Sequence, residues 1–326
     1  MRGEPRRSLP APVLSRIVQA AFPHSRVLAI EPLGDGLRNA NFKLHLSHPE
    51  SEPVVLRIYE HDATLCQKEL DLMRLVAGRV PVAEVIHAEP RGWADLPPFT
   101  LARWIEGVTF RDLKRSGDAE AIGQAAQAAG ETLAAIGQFR FPKPGWILPG
   151  PTVGPPLLEG SDAMPRFVDL CLASENLHPR MPAALRDRAH QFIWLWAPRL
   201  RSPATESCLV HGDFNKRNLL VHRTGERWGV AGVLDWEFAV SASPLGDLAN
   251  FLRYERVARP LAEPHFSTAY LRAGGQLPDD WRGLARCLDL VAICESLTHD
   301  HLPDDAIAEL VEVVRATIEP SPVLIS

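Results

Sequence analysis

Cysteine is sparse in this 326-residue chain, and what there is cannot cross-link it in any recognisable pattern. Cys66, Cys171, Cys208, Cys287 and Cys294 are odd in number, widely scattered and never spaced as CxxC. That argues against a disulfide framework or a structural zinc site and fits a reducing cytoplasm. Long apolar runs are missing too. No segment reaches the ~20 residues of a membrane span, and the charged start, Met1-Arg2-Gly3-Glu4-Pro5-Arg6-Arg7, is not followed by the apolar stretch of a secretion signal. Positive charge is not in excess: 35 Lys and Arg face 40 Asp and Glu, so no bulk field draws the chain to nucleic acid or anionic lipid. Internal repeats, low-complexity tracts and a G-x-S-x-G nucleophile motif are absent as well. These absences predict a soluble cytoplasmic protein with neither nucleic acid nor membrane as a partner.

What is present is ordinary globular composition, 46% hydrophobic and 23% charged, in a chain long enough for one large or two medium domains with buried cores. After an opening helix near Val13 to Phe22, the first hundred residues read as strand-rich. Extended runs fall at Arg26 to Glu31, Asn41 to Leu46, Pro53 to Tyr59, Val85 to Ala88 and Phe99 to Ile105, interrupted by one helix near Leu65 to Val76. From Gly107 the period lengthens to helical: Ala119 to Ile136, Ala163 to Ala173, Pro182 to Trp196, Pro244 to Arg256, Asp279 to Leu297 and Asp304 to Ile318. Among these helices lies one compact strand island, Cys208 to Val210, Leu219 to His222 and Trp228 to Leu234. A small β-rich lobe thus precedes a larger helical one.

Two polar motifs stand at the ends of the island. Leu209-Val210-His211-Gly212-Asp213-Phe214-Asn215-Lys216-Arg217-Asn218-Leu219-Leu220 sets an Asp and an Asn five positions apart between two apolar runs. H-x-D-x-x-x-x-N is the layout of a phosphotransfer catalytic loop, in which the Asp accepts a hydroxyl proton and the Asn binds metal. Taken alone it is equally an ordinary polar turn. Gly232-Val233-Leu234-Asp235-Trp236-Glu237-Phe238 then brings Asp235 out at the end of an apolar strand, 22 residues after Asp213, where a magnesium ligand belongs.

The amino-terminal lobe supplies the complementary groups. Gly34-Asp35-Gly36-Leu37-Arg38-Asn39 lies between two strands, where glycines let backbone N–H groups approach phosphate oxygens; a plain hairpin turn has the same signature. Arg57 sits in the apolar strand Val54-Val55-Leu56-Arg57-Ile58-Tyr59. Glu69 sits at helical spacing from Cys66, Leu72, Met73 and Val76. A charge on that face is costly unless paired, and an Arg57–Glu69 pair would answer it while holding a cation over nucleotide phosphates. Lys216 and Arg217, inside the catalytic loop, offer cations either to the γ-phosphate or to an anionic acceptor.

With these residues in this order, the sequence resembles the aminoglycoside phosphotransferase and choline kinase-like superfamily, the small-molecule relatives of protein kinases, from about Leu33 to Arg253. His211-Gly212-Asp213 is similar to that family's catalytic loop, Leu234-Asp235-Trp236-Glu237 to its metal motif, and Gly246-Asp247-Leu248-Ala249 to its following Gly-Asp segment. Gly36-Leu37-Arg38-Asn39 resembles its phosphate loop and Trp104-Ile105-Glu106-Gly107 its lobe linker. The resemblance implies an α+β, bilobal, protein-kinase-like fold. Residues 1–105 would form the nucleotide-binding lobe, and residues 106–326 a helical lobe with the catalytic loop, metal site and acceptor pocket.

It further implies ATP or GTP as phosphate donor, Mg2+, and a small-molecule acceptor. Asp213 would be catalytic, Asn218 and Asp235 would bind metal, and Gly34, Gly36, Asn39, Arg57, Glu69, Trp104 and Lys216 would serve the nucleotide. Asp247 would brace the catalytic loop. Two departures stand out. Leu133-Ala134-Ala135-Ile136-Gly137 lacks the His many relatives carry there, and Arg57 replaces the usual Lys.

Too few residues separate Phe238 from Phe251 for a long activation segment, which points to small acceptors rather than proteins. From Arg201 onward 18 Asp and Glu face 12 Lys and Arg. That balance suits an amine-containing acceptor, although a solvated acidic helix end gives the same count. His299-Asp300-His301 reads as a surface loop rather than a metal site. Trp194 and Trp196, two apart, cannot share a helix face and read as core and boundary.

Overall fold

A computed structural model describes residues 9–34, 39–47, 52–202 and 205–319, and the chain divides into two compact units. The first runs up to Gly107 and also takes in Leu148–Thr152 and Ala231–Glu237. It contains α1 (Ala11–Ala21), β1 (Val27–Pro32), β2 (Asn39–Leu46), β3 (Val54–Tyr59), α2 (Thr64–Val76), β4 (Val85–Glu89) and β5 (Phe99–Arg103). The strands form one antiparallel sheet in the order β1-β2-β3-β5-β4. Alternation along β3 turns Val54, Leu56 and Ile58 into a core shared with Leu14, Ile17 and Val18 of α1. The opposite face of β3 presents Arg57 and Tyr59 to α2.

The second unit takes Val108–Ile147, Val153–Val230 and the chain from Phe238 onward. Its elements are β6 (Val108–Thr109), α3 (Phe110–Arg115), α4 (Ala119–Ile136), β7 (Gly145–Leu148), β8 (Thr152–Val153), α5 (Ala163–Leu172), α6 (Ala183–Leu200), β9 (Cys208–Val210), β10 (Leu219–Thr224), β11 (Arg227–Val233), β12 (Val240–Ala242), α7 (Leu245–Leu252), α8 (His265–Arg272), α9 (Trp281–Ser296) and α10 (Asp304–Ile318). β7 and β8 run at the edges of the Leu148–Thr152 segment, and β11 continues into the first unit at Ala231. Helix α4, built largely of Ala and Gly, lies against α8. A Cβ on Gly130 would fall 2.2 Å from the Phe266 carbonyl oxygen, so the two backbones approach more closely there than any side chain permits.

The single strand island expected from the sequence is divided. β9 joins a sheet ordered β8-β7-β12-β9, whereas β10 lies between β11 and β6 in another. The loop between β9 and β10 passes from one sheet to the other, and it is the loop that carries Asp213. All five cysteines are buried and free, and among the described residues no helix is long and apolar enough to cross a membrane.

Candidate active site

In the first unit Arg57 gathers carboxylates. Its Nη2 donates to Glu69 Oε1 at 2.8 Å and to Asp235 Oδ1 at 2.7 Å, and lies 3.5 Å from Glu237 Oε2. Oxygens of Glu69, Asp235 and Glu237 all fall within 4.8 Å of one another, a set of hard donors suited to a cation such as magnesium. Burial pushes the Glu69 carboxyl up to about 7, with Asp235 and Glu237 adding to the shift and Arg57 opposing it. Against burial, which would lower it, Glu69 and Asp235 hold the Arg57 guanidinium above its ordinary value. Tyr59 Oη donates to Glu69 Oε2 at 2.6 Å, and Lys68 Nζ donates to the Glu237 carbonyl at 2.7 Å. Consecutive residues of α2 therefore secure the Arg57 fork and the segment carrying Asp235. Asp235 has φ +66°, the one non-glycine residue among those described in the left-handed region. Backbone strain of this kind concentrates at functional positions.

Other residues expected at the nucleotide are also in this unit. Asn39 Nδ2 donates to Glu237 Oε2 at 2.9 Å, so its side chain is tied to that carboxylate. Gly34 follows β1 with φ +63°, and Gly36 lies outside the described residues. Trp104 continues from β5, its backbone N–H donating to the Pro53 carbonyl at 3.1 Å. Lys43 Nζ stands 3.9 Å over the Trp104 ring, whose buried Nε1 has no hydrogen-bond partner among the described residues.

In the second unit the loop after β9 is fixed at both backbone and side chain. Asp247, fully buried on α7, accepts from His211 N at 2.6 Å through Oδ2 and from Gly212 N at 2.9 Å through Oδ1. Burial pushes its carboxyl up to about 7 against the pull of these N–H groups. Gly212 has φ +82°, and a Cβ there would lie 2.2 Å from the Phe238 carbonyl oxygen. Glycine before Asp213 is thus a steric requirement of this chain. Asp213 Oδ1 accepts from Asn215 Nδ2 at 2.7 Å and Asn250 Nδ2 at 3.2 Å, and Oδ2 accepts from Asn218 Nδ2 at 2.7 Å. With its nitrogen so engaged, the atom Asn218 could offer a cation is its Oδ1.

The structure does not bring Lys216 to this polar group. Lys216 is 8% exposed, and its Nζ donates to the Phe251 carbonyl and lies 3.3 Å from Glu255 Oε1, which Lys114 Nζ also contacts at 2.7 Å. Burial lowers the Lys216 ammonium to about 8. Glu255 resists the same burial because both ammonium groups and the backbone N–H of Ala262 hold it below its ordinary range. Phe214, Phe251 and Phe266 pack beneath the loop, the last two stacked at 4.1 Å. Lys216 is a buried anchor of the loop, drawn inward by its ion pair with Glu255 and its bond to the Phe251 carbonyl.

Sequence spacing misses Glu237 and Asn250 as partners of the site. Asn250 carries one signal: it stands three residues after Asp247, which places both on one face of α7. His299-Asp300-His301 closes the end of α9, where Arg180 donates to the Leu297 and His299 carbonyls. Trp194 Nε1 donates to Asp169 Oδ2 at 2.8 Å.

Residues 29–287 match the profile of the Phosphotransferase enzyme family, APH. Among solved structures, the apo form of a thermostable mutant of aminoglycoside phosphotransferase APH(4)-Ia is similar at TM-score 0.64 and 20% identity, covering 93% of this chain and 98% of that one. The GDP complex of aminoglycoside 2'-phosphotransferase-IIIa is similar at TM-score 0.67 and 16% identity, covering 95% and 99%. These likenesses establish the kinase-like fold, with its sheet-rich amino-terminal and helical carboxy-terminal regions. A curated relative, acyl-CoA dehydrogenase family member 11 of Gallus gallus, is 45% identical over 56 residues, 17% of this chain. The match spans only 7% of that protein. A family profile that covers most of the chain, on a fold of the same kind, settles membership: this chain belongs to the phosphotransferase enzyme family.

Proposed function

We propose that the chain is a small-molecule kinase that transfers the γ-phosphate of ATP or GTP to a hydroxyl of a small acceptor. The observation that carries this reading is the setting of Asp213. Its carboxylate is held by neutral amide donors while Asp247 grips the backbone on either side of His211 and Gly212. Amide donors favour the ionised form, as a proton acceptor requires. In the proposed reaction Asp213 takes the acceptor's hydroxyl proton, the acceptor oxygen bonds to the γ-phosphorus, and the bond to the β-phosphate oxygen breaks to release nucleoside diphosphate.

Arg57, oriented by Glu69, would neutralise phosphate oxygens. Asp235 and Asn218 are each proposed as oxygen ligands of magnesium, which would offset charge on the nucleotide phosphates when bound. Gly34, Gly36 and Trp104 are proposed to line the nucleotide. The relatives support this reading: one APH(4)-Ia structure is a ternary complex with AMP-PNP and hygromycin B, and one of APH(2")-IIia holds GDP and kanamycin. An amine-containing acceptor is the class to test first. The argument for an anionic acceptor weakens once the Lys216 ammonium is found turned inward.

The test is a panel of amine-bearing, neutral and anionic alcohols offered with magnesium and either ATP or GTP, with nucleoside diphosphate release as the readout. Acceptor-dependent release with a phosphorylated product supports the proposal. Tight nucleotide binding without transfer to any acceptor or to water would replace it with a nucleotide-binding role.

A further inference from the structure

We infer that Asn250 is a positioning residue for Asp213, fixing the carboxylate's rotation through its amide nitrogen. The inference rests on Asp213 being the proton acceptor proposed above. Asn250 lies on α7 one helical turn beyond Asp247, so a single face of this helix serves the loop twice: Asp247 holds the backbone of His211 and Gly212, and Asn250 Nδ2 donates to Asp213 Oδ1 at 3.2 Å. One turn further, Arg253 pairs with the buried Asp289 of α9 through Nε at 2.8 Å. That guanidinium is hydrogen-bonded to Asp289 and acts on Asp213 through charge alone.

The decisive detail is the other half of the amide. Asn250 Oδ1 is buried and has no hydrogen-bond partner among the described residues. An orphaned buried acceptor is unfavourable, and natural cores avoid it. Turning the amide over would not cure this, because Oδ1 would then face the Asp213 carboxylate. The side chain is retained in an arrangement that its own packing does not favour, and what the arrangement achieves is a donor against the candidate base. A residue kept for stability would show the reverse: every polar atom satisfied, and no contact with the reacting group.

This separates activity from stability. With magnesium–ATP as donor and both water and the panel's alcohols as acceptors, N250A is expected to slow single-turnover transfer about 10- to 100-fold, the range typical of groups that orient an active side chain. The KM for ATP should stay within about twofold of the parent, because the interaction is not one of uniform binding. The melting temperature should hold or rise, since the orphaned acceptor is gone. N250D keeps the shape but replaces the donor with an acceptor facing Asp213, and is expected to be slower still.

Near-parental transfer in N250D would overturn the inference, because shape alone would then suffice. So would a fall in transfer matched by a fall in melting temperature in N250A, which would mark a structural residue. The functional reading fails separately: it falls if D213N transfers phosphate at the parental rate, or if the parent transfers to neither water nor any panel alcohol.

Discussion

In the first unit three carboxylates crowd one guanidinium, whereas in the second one carboxylate, Asp213, is surrounded by side-chain amides. Arg57 and the Lys68 ammonium face Glu69, Asp235 and Glu237, whose oxygens lie close enough together to hold a cation. Asp213 accepts from three side-chain amides, those of Asn215, Asn218 and Asn250. Under the proposed reaction similar residue types would serve opposite tasks, gathering cations and phosphate in one unit and accepting a proton in the other.

The strongest test of this division compares D213N with D235N. D213N should lower kcat by about a thousandfold while nucleotide affinity stays near the parent's, the behaviour of a lost general base. D235N should instead weaken metal–nucleotide binding, measured by titrating nucleotide at fixed magnesium. If D213N weakened nucleotide binding and D235N acted only on kcat, the contrast between the units would be reversed.

The brace beneath Asp213 sharpens the comparison next. In D247N the side chain can no longer accept from both His211 N and Gly212 N, and a buried N–H is left facing an NH2 group. Transfer should fall about 100-fold, with a loss of ~2–3 kcal/mol in urea unfolding. Unchanged unfolding would mean that the loop is held by its aromatic floor alone.

Local features of this architecture were legible in the sequence and distant ones were not. Helices α4 and α10 fall at Ala119–Ile136 and Asp304–Ile318, where the apolar period places them. Helix α6 runs on to Leu200 through Pro198 instead of ending near Trp196, because buried Ala197 and Leu200 extend its packed face past the proline. Helix α8 was missed: it is short, lies between prolines and a pair of glycines, and gains its place from α4. β7, β8 and β12 are too short to show an alternation. The same divide runs through the site. The Arg57–Glu69 pair spans 12 positions and follows from a strand and helix in succession. The Asn39–Glu237 bond joins residues 198 positions apart, and nothing in either local sequence names the other. Lys216 looked like a phosphate ligand because its chemistry fits; that Glu255 draws it inward is decided 39 residues later by how α7 ends.

The buried charges below the second centre give a pH-dependent comparison. Glu255 faces Lys114, Lys216 and the N–H of Ala262, and is held ionised below its ordinary range. Its contribution to stability is therefore complete above the unfolded carboxyl value, about 4.5, and disappears as pH falls through the lower folded value. E255Q leaves two buried ammonium groups unanswered and should lose roughly 3 kcal/mol at pH 7. Urea unfolding of both proteins from pH 7 down should show the gap narrowing only below pH ~4.5, as the parent's own carboxyl protonates. A gap that stayed constant with pH would assign the loss to packing.

The smallest effect should come from R57K, and it bears on why the first unit uses a guanidinium. Arg57 reaches Glu69 and Asp235 from one nitrogen with Glu237 close by; a lysine ammonium on a more flexible stem carries the same charge without the planar fork. If the fork matters chiefly for holding Asp235 and the phosphates in a fixed relation, R57K should raise the nucleotide KM about tenfold, ~1.4 kcal/mol, with kcat changed less. If charge alone matters, R57K should behave as the parent while R57Q loses nucleotide binding. The first outcome makes the cluster a geometric device and the second an electrostatic one. Only in the second case would Glu237 be free to vary, since its distance from Arg57 would no longer have to match a fork.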